Sequence, residues 1–300
     1  MRFIFGPGFF QSPPVQVALL VGAVVAAVSG VVGVFTVVRG QSFSGHALAD
    51  LGATGGSGAF LLGINQLWGF VFIAAVAAGA IELIGLRLPR GRDLATGIVL
   101  GAGLGLAALF LYLDTTFSNT TGAAITILFG SIFAIDSSLV PVIAGLSAVS
   151  LATVLLLYRM LLFTSLSPDM AAARGIRVRA VGVGYLVALA LAVSLSAMTI
   201  GAVLSTALLI GPAACALQLT TRPGLALALA ALIGVVVTWV SIVLAYDSYY
   251  WPPGGRGWPV SFFVVALILT AYLLTQVPVR RLFSRWVSGR AAGNVRLVGR

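Results

Sequence analysis

Nine apolar segments, each close to the ~20 residues that cross a bilayer, recur along this chain of 300 residues. They cover approximately residues 16–38, 43–64, 67–86, 94–113, 138–162, 178–197, 200–219, 224–246 and 260–277. Gly211-Pro212 interrupts the seventh segment, which predicts a broken helix there and leaves eight crossings as the alternative to nine. The expected fold class is therefore all-α, a polytopic membrane protein with eight or nine transmembrane helices.

Composition agrees with this fold class and excludes two function classes. Hydrophobic residues make up 60% of the chain and charged residues 8%, which no ordinary soluble domain matches. All 17 basic residues are arginine, so the chain has no phosphate-binding loop of the kind that requires lysine. Any nucleotide hydrolysis must come from another chain. The net charge of +10 comes from arginines in short loops, which reflects membrane topology and not nucleic-acid binding.

The positions of the arginines predict the orientation of the chain. Those expected on the cytoplasmic side are Arg87, Arg90, Arg92, Arg159, Arg174, Arg177, Arg179, Arg222, Arg280, Arg281, Arg285, Arg290, Arg296 and Arg300. The opposite loops, about 114–137 and 247–259, carry Asp114, Asp136 and Asp247 together with an aromatic belt of Tyr249, Tyr250, Trp251 and Trp258. With nine crossings the N-terminus lies outside, and with eight it lies inside.

The expected organisation has three parts. Residues 1–15 form an interfacial segment in which Phe3, Phe5, Phe9 and Phe10 act as an anchor, because prolines interrupt it and no signal cleavage site follows. Residues 16–279 form the transmembrane domain, and residues 280–300 form a basic cytoplasmic tail. The lone Cys215 is expected to be a small buried apolar residue.

His46 and Asp50 are the candidate functional residues. They lie four residues apart in the second apolar segment, so one helical face presents both side chains. A carboxylate at membrane depth is costly and usually faces a protein interior or a wet path. Imidazole nitrogen and carboxylate oxygen are suitable ligands for divalent transition metals. A hydrogen bond between the two that only joins helices is the alternative.

Three other polar residues within the apolar segments are candidates for lining a path. Glu82 lies near the cytoplasmic end of the third segment, where it is either an interfacial charge close to Arg87 or part of an exit. Ser205 and Thr206 lie in the seventh segment and either pack tightly or offer oxygen atoms to an ion.

Between the fifth and sixth segments the sequence specifies a short helix. Ser167 can cap it, Pro168 suits its first position, Asp169 complements its dipole and Gly175 ends it. A connector in solvent would need neither cap nor stop, so we expect this helix to contact a cytoplasmic partner.

Two further segments are expected to contribute to packing. Gly97, Gly101 and Gly105 are four residues apart, a spacing that favours a close helix–helix contact. The apolar stretch 123–135 is too short to cross a membrane, so it is expected to lie against the bundle or to dip into it.

Four of these segments, in order, resemble one family. They are Gly45-His46-Ala47-Leu48-Ala49-Asp50, Phe129-Gly130-Ser131-Ile132-Phe133-Ala134, the loop from Leu166 to Ile176 and the run from Gly201 to Ala214. Together they resemble the permease subunits of manganese, zinc and iron ABC importers, the ABC-3 family, over about residues 16–277.

The resemblance implies a type II-like ABC importer permease in the bacterial plasma membrane, a transport subunit and not an enzyme. It implies a homodimer with a central path for manganese, zinc or iron and no permanently bound cofactor. An ATPase would bind beneath each copy, and an extracytoplasmic metal-binding protein or lipoprotein would dock on the outer loops. The ATPase-coupling helix would comprise Pro168, Asp169, Met170, Ala171, Ala172, Ala173, Arg174 and Gly175.

Two positions depart from the pattern of the family. Its second span usually carries aspartate after glycine and histidine one turn later, whereas here His46 follows Gly45 and Asp50 comes one turn later. Ser131 stands where the family has an acidic residue after Phe-Gly. Two alternatives remain at this point: a permease of similar architecture for an iron chelate or a vitamin, and a secondary metal transporter driven by an ion gradient.

Overall fold

The computed structural model describes residues 9–85, 92–117, 122–251 and 257–276, and within these ranges all regular structure is helical. The α-helices are α1 Pro13–Val38, α2 Ser42–Leu61, α3 Gln66–Gly85, α4 Arg92–Phe117, α5 Gly122–Phe129, α6 Val140–Leu156, α7 Tyr158–Leu166, α8 Pro168–Ala173, α9 Val178–Ile200, α10 Ala202–Leu219, α11 Pro223–Ser248 and α12 Val260–Gln276. Single 3₁₀ turns occupy Ile132–Ala134 and Ser137–Leu139. The basic tail and residues 1–8 of the interfacial segment lie outside the described residues.

Six helical stretches in the described ranges are long and apolar enough to cross a membrane. They are Pro13–Val38, Thr96–Thr116, Ser137–Leu156, Val178–Ile200, Ala202–Leu219 and Pro223–Ser248. Gln66–Ile81 and Val260–Gln276 are apolar but shorter. Helix α2 is rich in glycine and serine and carries His46 and Asp50, so its composition does not mark it as a span. The number of crossings, eight or nine, stays a prediction.

The bundle is built on close contacts between helix backbones at glycine. Helices α1 and α11 run antiparallel, because Gly30 faces the carbonyl of Ala230 while Gly234 faces that of Ala26. Helices α2 and α3 cross where Gly55 and Gly69 each face the carbonyl oxygen of the other. A methyl group at any of these positions would overlap backbone. Packing through small residues is how helices associate in a membrane, where burial of apolar surface supplies little driving force.

The predicted short segment after α4 packs against the bundle, as expected. Helix α5 contacts α2, α4, α9 and α10. At its end, Gly130 has a φ of +77° and its Cα lies against the backbone of Thr199 and Gly201. Gly201, with a φ of +92°, forms the turn between α9 and α10 and faces Leu128 and Phe129. Both glycines are required, because each combines a left-handed backbone with a neighbour that leaves no room for a side chain.

The structure corrects the prediction of a broken seventh segment. Helix α10 continues through Pro212, and the chain turns at Gly201 instead. Packing explains the continuity, since α1 lies against α10 at Leu209 and Ile268 of α12 lies against Gly211. Neighbouring helices on both sides hold the proline in a helical conformation that an isolated helix would not keep.

Three smaller differences concern element boundaries and contacts. The predicted span 138–162 is divided at Leu157 into α6 and α7. Asp114 lies inside α4 and is buried, not in an outer loop. The glycines at 97, 101 and 105 make no close contact with the described part of the chain, whereas Gly103 packs against Leu51 and Thr54 of α2. Helix α4 turns its Gly103 face inward because the Thr54 hydroxyl donates a hydrogen bond to the Gly103 carbonyl, at 2.8 Å.

Candidate metal site

The candidate site is carried by α2, which starts inside the bundle. Its first turn follows a tight turn at Gly40, where φ is +64°. Gly45 then faces Leu189, midway along α9, and Leu209, midway along α10. His46 therefore lies near the middle of the bundle although it is only in the second turn of its own helix. This depth follows from the contact of Gly45 with the middle of α9 and of α10.

His46 and Asp50 share one face of α2, as the spacing predicts. The Nε2 atom of His46 and the Oδ2 atom of Asp50 are 3.4 Å apart, and their side chains are 44% and 16% exposed. Two ligand atoms at about 2.0–2.2 Å from one ion stand about 2.8–3.6 Å apart for octahedral to tetrahedral angles. The observed separation lies within that range and is longer than a typical N–H···O hydrogen bond.

Thr206 of α10 completes the immediate surroundings of the imidazole. Its Oγ1 atom lies 2.9 Å from Nδ1 of His46, so a hydrogen bond fixes the ring between α2 and α10. With Nδ1 engaged in this way, Nε2 is the nitrogen directed toward Asp50. A hydrogen bond at the second nitrogen orients metal-binding histidines and sets which nitrogen binds the metal.

Of the other predicted path residues, Ser205 is not brought to the site. Ser205 is buried, and its hydroxyl donates to the carbonyl of Ala202 within its own helix, at 2.8 Å. Glu82 belongs to α3, but its side chain lies outside the described residues. Across the described ranges, no group of three or more His, Cys, Asp and Glu side chains comes together. Within the part of the chain that the structure describes, His46 and Asp50 are therefore a pair of candidate ligands and not part of a larger cluster.

The pair lies on a face that the rest of the described chain leaves partly open. On α2, Phe43 is 43% exposed one turn before His46 and Ala47, and on α10 Val203 is 49% exposed one turn before Thr206. Cys215, farther along α10, is buried as predicted. A half-open face can exchange an ion, whereas a ligand pair sealed in the core could not.

The predicted short helix is present as α8, with its signals in the expected roles. The Ser167 side chain accepts a hydrogen bond from the backbone N–H of Met170, at 3.3 Å, and Pro168 occupies the first turn. Gly175 follows in the left-handed region with a φ of +79°. Met170 is 60% exposed, so α8 presents an apolar side chain at the surface.

Sequence reasoning missed a polar cluster beneath the site. Arg39 donates a hydrogen bond from Nη1 to Oγ1 of Thr164, at 2.9 Å, and its guanidinium lies over the ring of Tyr185, 5.3 Å from the centroid. The hydroxyl of Tyr185 lies 2.6 Å from that of Thr36. The available signal was Arg39 itself, which is the one charged residue between the first apolar segment and His46.

Between α11 and α12 the predicted aromatic belt forms a packed group. Trp251 and Trp258 are in edge contact at 5.9 Å, as are Tyr249 and Tyr250 at 5.6 Å. Tyr249, Tyr250 and Trp258 line part of a cavity of about 440 Å³. Phe9 packs onto Tyr246 at 4.9 Å and is buried, while Phe10 stays exposed.

The chain is similar to known proteins over most of its length. The model of the ABC 3 transport family matches residues 11–275. The manganese transport system membrane protein MntC of Halalkalibacterium halodurans is 32% identical over 221 residues, which cover 74% of this chain and 75% of that protein. The protein of the same name from Listeria monocytogenes serovar 1/2a is 29% identical over 243 residues, 81% of this chain and 85% of that protein.

Among solved structures, the chain is similar to one described as PsaBC from Streptococcus pneumoniae in complex with Fab. The TM-score is 0.76 at 26% sequence identity, and the match covers 89% of this chain and 92% of the other. The likeness therefore extends over the helical bundle and is not limited to the segment around His46.

Proposed function

Because the chain belongs to the ABC 3 transport family, we propose that it is the permease subunit of an ABC importer that carries a divalent transition-metal ion into the cytoplasm. It is a multi-pass protein of the plasma membrane. Manganese is the proposed ion, since relatives from two genera are named as manganese transport proteins. A carboxylate ligand suits manganese, and the imidazole adds a nitrogen ligand.

The observation that carries the proposal is the arrangement of His46, Asp50 and Thr206 on a half-open face at mid-depth. Nε2 of His46 and Oδ2 of Asp50 would hold the ion, and Thr206 would orient the imidazole. The family order of the two ligands is exchanged along α2, but both remain on one face. A site that passes ions must bind them weakly enough for release, and two ligands from one chain meet that need.

The proposed assembly has a second copy of the chain facing this pair. Two copies related by a two-fold axis would place two histidines and two carboxylates around a common path. Helix α8 would dock on a cytoplasmic ATPase, because its exposed Met170 and its capped start provide a rigid apolar contact. An extracytoplasmic metal-binding protein would dock at the outer aromatic group that contains Tyr249, Tyr250 and Trp258.

The proposal is tested by the metal content of cells. Cells that lack the permease, and the same cells complemented with it, are grown in limiting manganese, zinc or iron and analysed for all three elements. We expect manganese to fall in the deletion strain and to return on complementation. A change in zinc or iron alone would reassign the ion, and three unchanged elements would favour an iron chelate or a vitamin as the cargo.

A further inference from the structure

We infer that Arg39 mechanically couples the cytoplasmic helix α8 to the metal-binding helix α2, an inference that rests on the proposed function. Arg39 lies in the turn between α1 and α2, seven residues before His46. Its partners lie on the helices that flank α8: Thr164 near the end of α7, and Tyr185 about two turns into α9. One side chain therefore touches both neighbours of α8 while belonging to the turn that starts α2.

Distances show how direct this connection is. Thr164 precedes the capping residue Ser167 by three residues, so it lies within one turn of the start of α8. Tyr185 is seven residues beyond Val178, which places its Cα about 10 Å along α9 from the cytoplasmic end. The hydrogen bond from Arg39 to Thr164 is 2.9 Å and involves a charged donor, the stronger class of hydrogen bond.

The turn is also rigidly held from the α1 side. The hydroxyl of Thr36 lies 2.6 Å from that of Tyr185, and the Tyr185 hydroxyl also donates to the carbonyl of Val32, at 3.3 Å. Tyr185 is fully buried. A guanidinium within about 6 Å of an aromatic centroid is attracted to its face. The end of α1, the second turn of α9 and the end of α7 therefore meet at Arg39, and we expect them to move together.

A consequence for transport follows from this geometry. When an ATPase displaces α8, the displacement passes through α7 and α9 to Arg39, and from there to the first turn of α2. Because α2 is one uninterrupted helix from Ser42 to Leu61, a movement of its first turn also moves His46 and Asp50. Arg39 is thus a positioning residue, which acts on the ligands without touching the ion.

The test uses the complete permease–ATPase complex in liposomes, with manganese uptake and ATP hydrolysis measured in the same sample. Thr164→Val removes the hydroxyl that accepts the bond from Arg39 and keeps the side-chain shape, whereas Thr164→Ser keeps the hydroxyl. We expect Thr164→Val and Arg39→Gln to lower manganese uptake per ATP about tenfold, the effect of losing one charge-assisted hydrogen bond, with hydrolysis within about twofold of wild type. Thr164→Ser should keep manganese uptake per ATP at the wild-type value. Arg159→Gln is the matched control, because Arg159 is exposed on α7.

Two results in these liposomes would overturn the inference. One is that Thr164→Val takes up as much manganese per ATP as wild type. The hydrogen bond between Arg39 and Thr164 would then not transmit the displacement of α8 to α2. The other is a parallel fall of hydrolysis and uptake in both variants, because a constant ratio means that the cluster only supports folding. Liposomes in which wild type itself takes up no manganese, zinc or iron would instead refute the proposed function.

A second measurement needs no metal. Spin labels at position 43 of α2 and at position 166, directly before the cap of α8, are introduced into a Cys215→Ser background of the full complex; both positions are exposed. We expect their separation to stay constant between the nucleotide-free and ATP-trapped states in wild type and to change between these states in Thr164→Val. A separation that changes equally in both proteins would overturn the coupling role of Arg39.

Discussion

At the scale of single residues, the central feature is a histidine held from both sides. Thr206 engages Nδ1 of His46 and Asp50 faces Nε2, so the ring has little freedom to rotate. The sequence indicated His46 and Asp50 as candidates through their helical spacing, the cost of a carboxylate at membrane depth and the resemblance to the family. It could not reveal the contact with Thr206, because that residue lies 160 positions away and meets His46 only when α2 and α10 pack.

Replacing Thr206 tests whether the ring must be oriented for transport. Thr206→Val removes the hydroxyl while keeping the branched shape, and we expect manganese uptake to fall about tenfold, the usual lower cost of losing the hydrogen-bond partner of a ligand histidine. Thr206→Ser keeps the hydroxyl and should retain uptake within about twofold. Equal uptake by the Val and Ser variants would mean that Thr206 contributes only packing.

At the scale of helices, backbone contact at glycine determines which neighbours can pack. Spacing alone favoured Gly97, Gly101 and Gly105 as a contact face, but the described chain packs Gly103 of α4 and Gly55 of α2 instead. A four-residue spacing marks a face that permits close approach without showing whether another helix of the same chain occupies it. Local signals were more reliable for α8, where the Ser167 cap and the Gly175 stop act within one turn.

A matched pair of glycine substitutions tests the packing of α2. In Gly55→Ala the added methyl would overlap the Gly69 carbonyl, so we expect a loss of about 1–3 kcal/mol in stability. Gly101→Ala meets open space, and the better helix propensity of alanine should leave stability unchanged or raise it by up to about 1 kcal/mol. Thermal unfolding in detergent measures both. Equal midpoints for the two variants would contradict the α2–α3 contact.

The cap of α8 gives a second prediction at this scale. Ser167→Ala removes the acceptor for the Met170 N–H and should cost about 1 kcal/mol of helix stability. If α8 must be folded to bind the ATPase, the dissociation constant should rise about fivefold, while Ser167→Thr keeps the cap and should bind like wild type. Unchanged binding of Ser167→Ala, measured by titration in detergent, would argue that α8 is not the contact.

At the scale of the whole molecule, hydropathy and arginine placement predict the helical class and the approximate positions of the helices. Neither predicts that α2 starts inside the bundle, because its depth is set by the Arg39 cluster and by the contact of Gly45 with α9 and α10. Nor does local sequence show that α10 continues through Pro212. Helices on both sides of the proline make that possible, and such support is a property of the tertiary packing.

The sidedness of the bundle can be checked directly. In a Cys215→Ser background, a cysteine at position 64, in the exposed turn between α2 and α3, should react with an impermeant reagent added outside cells. A cysteine at position 170 of α8 should react only after the membrane is opened. The reverse pattern would overturn the orientation that the arginines predict.

The most direct test of the whole account is manganese uptake by the reconstituted permease–ATPase complex carrying His46→Ala or Asp50→Ala, with Leu62→Ala at the far end of the same helix as the control. We expect both ligand variants to assemble and to hydrolyse ATP. Their uptake should fall by more than the ~10–100-fold that loss of a ligand's hydrogen-bond partner costs, while Leu62→Ala transports normally. Uptake at the wild-type rate by His46→Ala and by Asp50→Ala would contradict the claim that this pair holds the travelling ion.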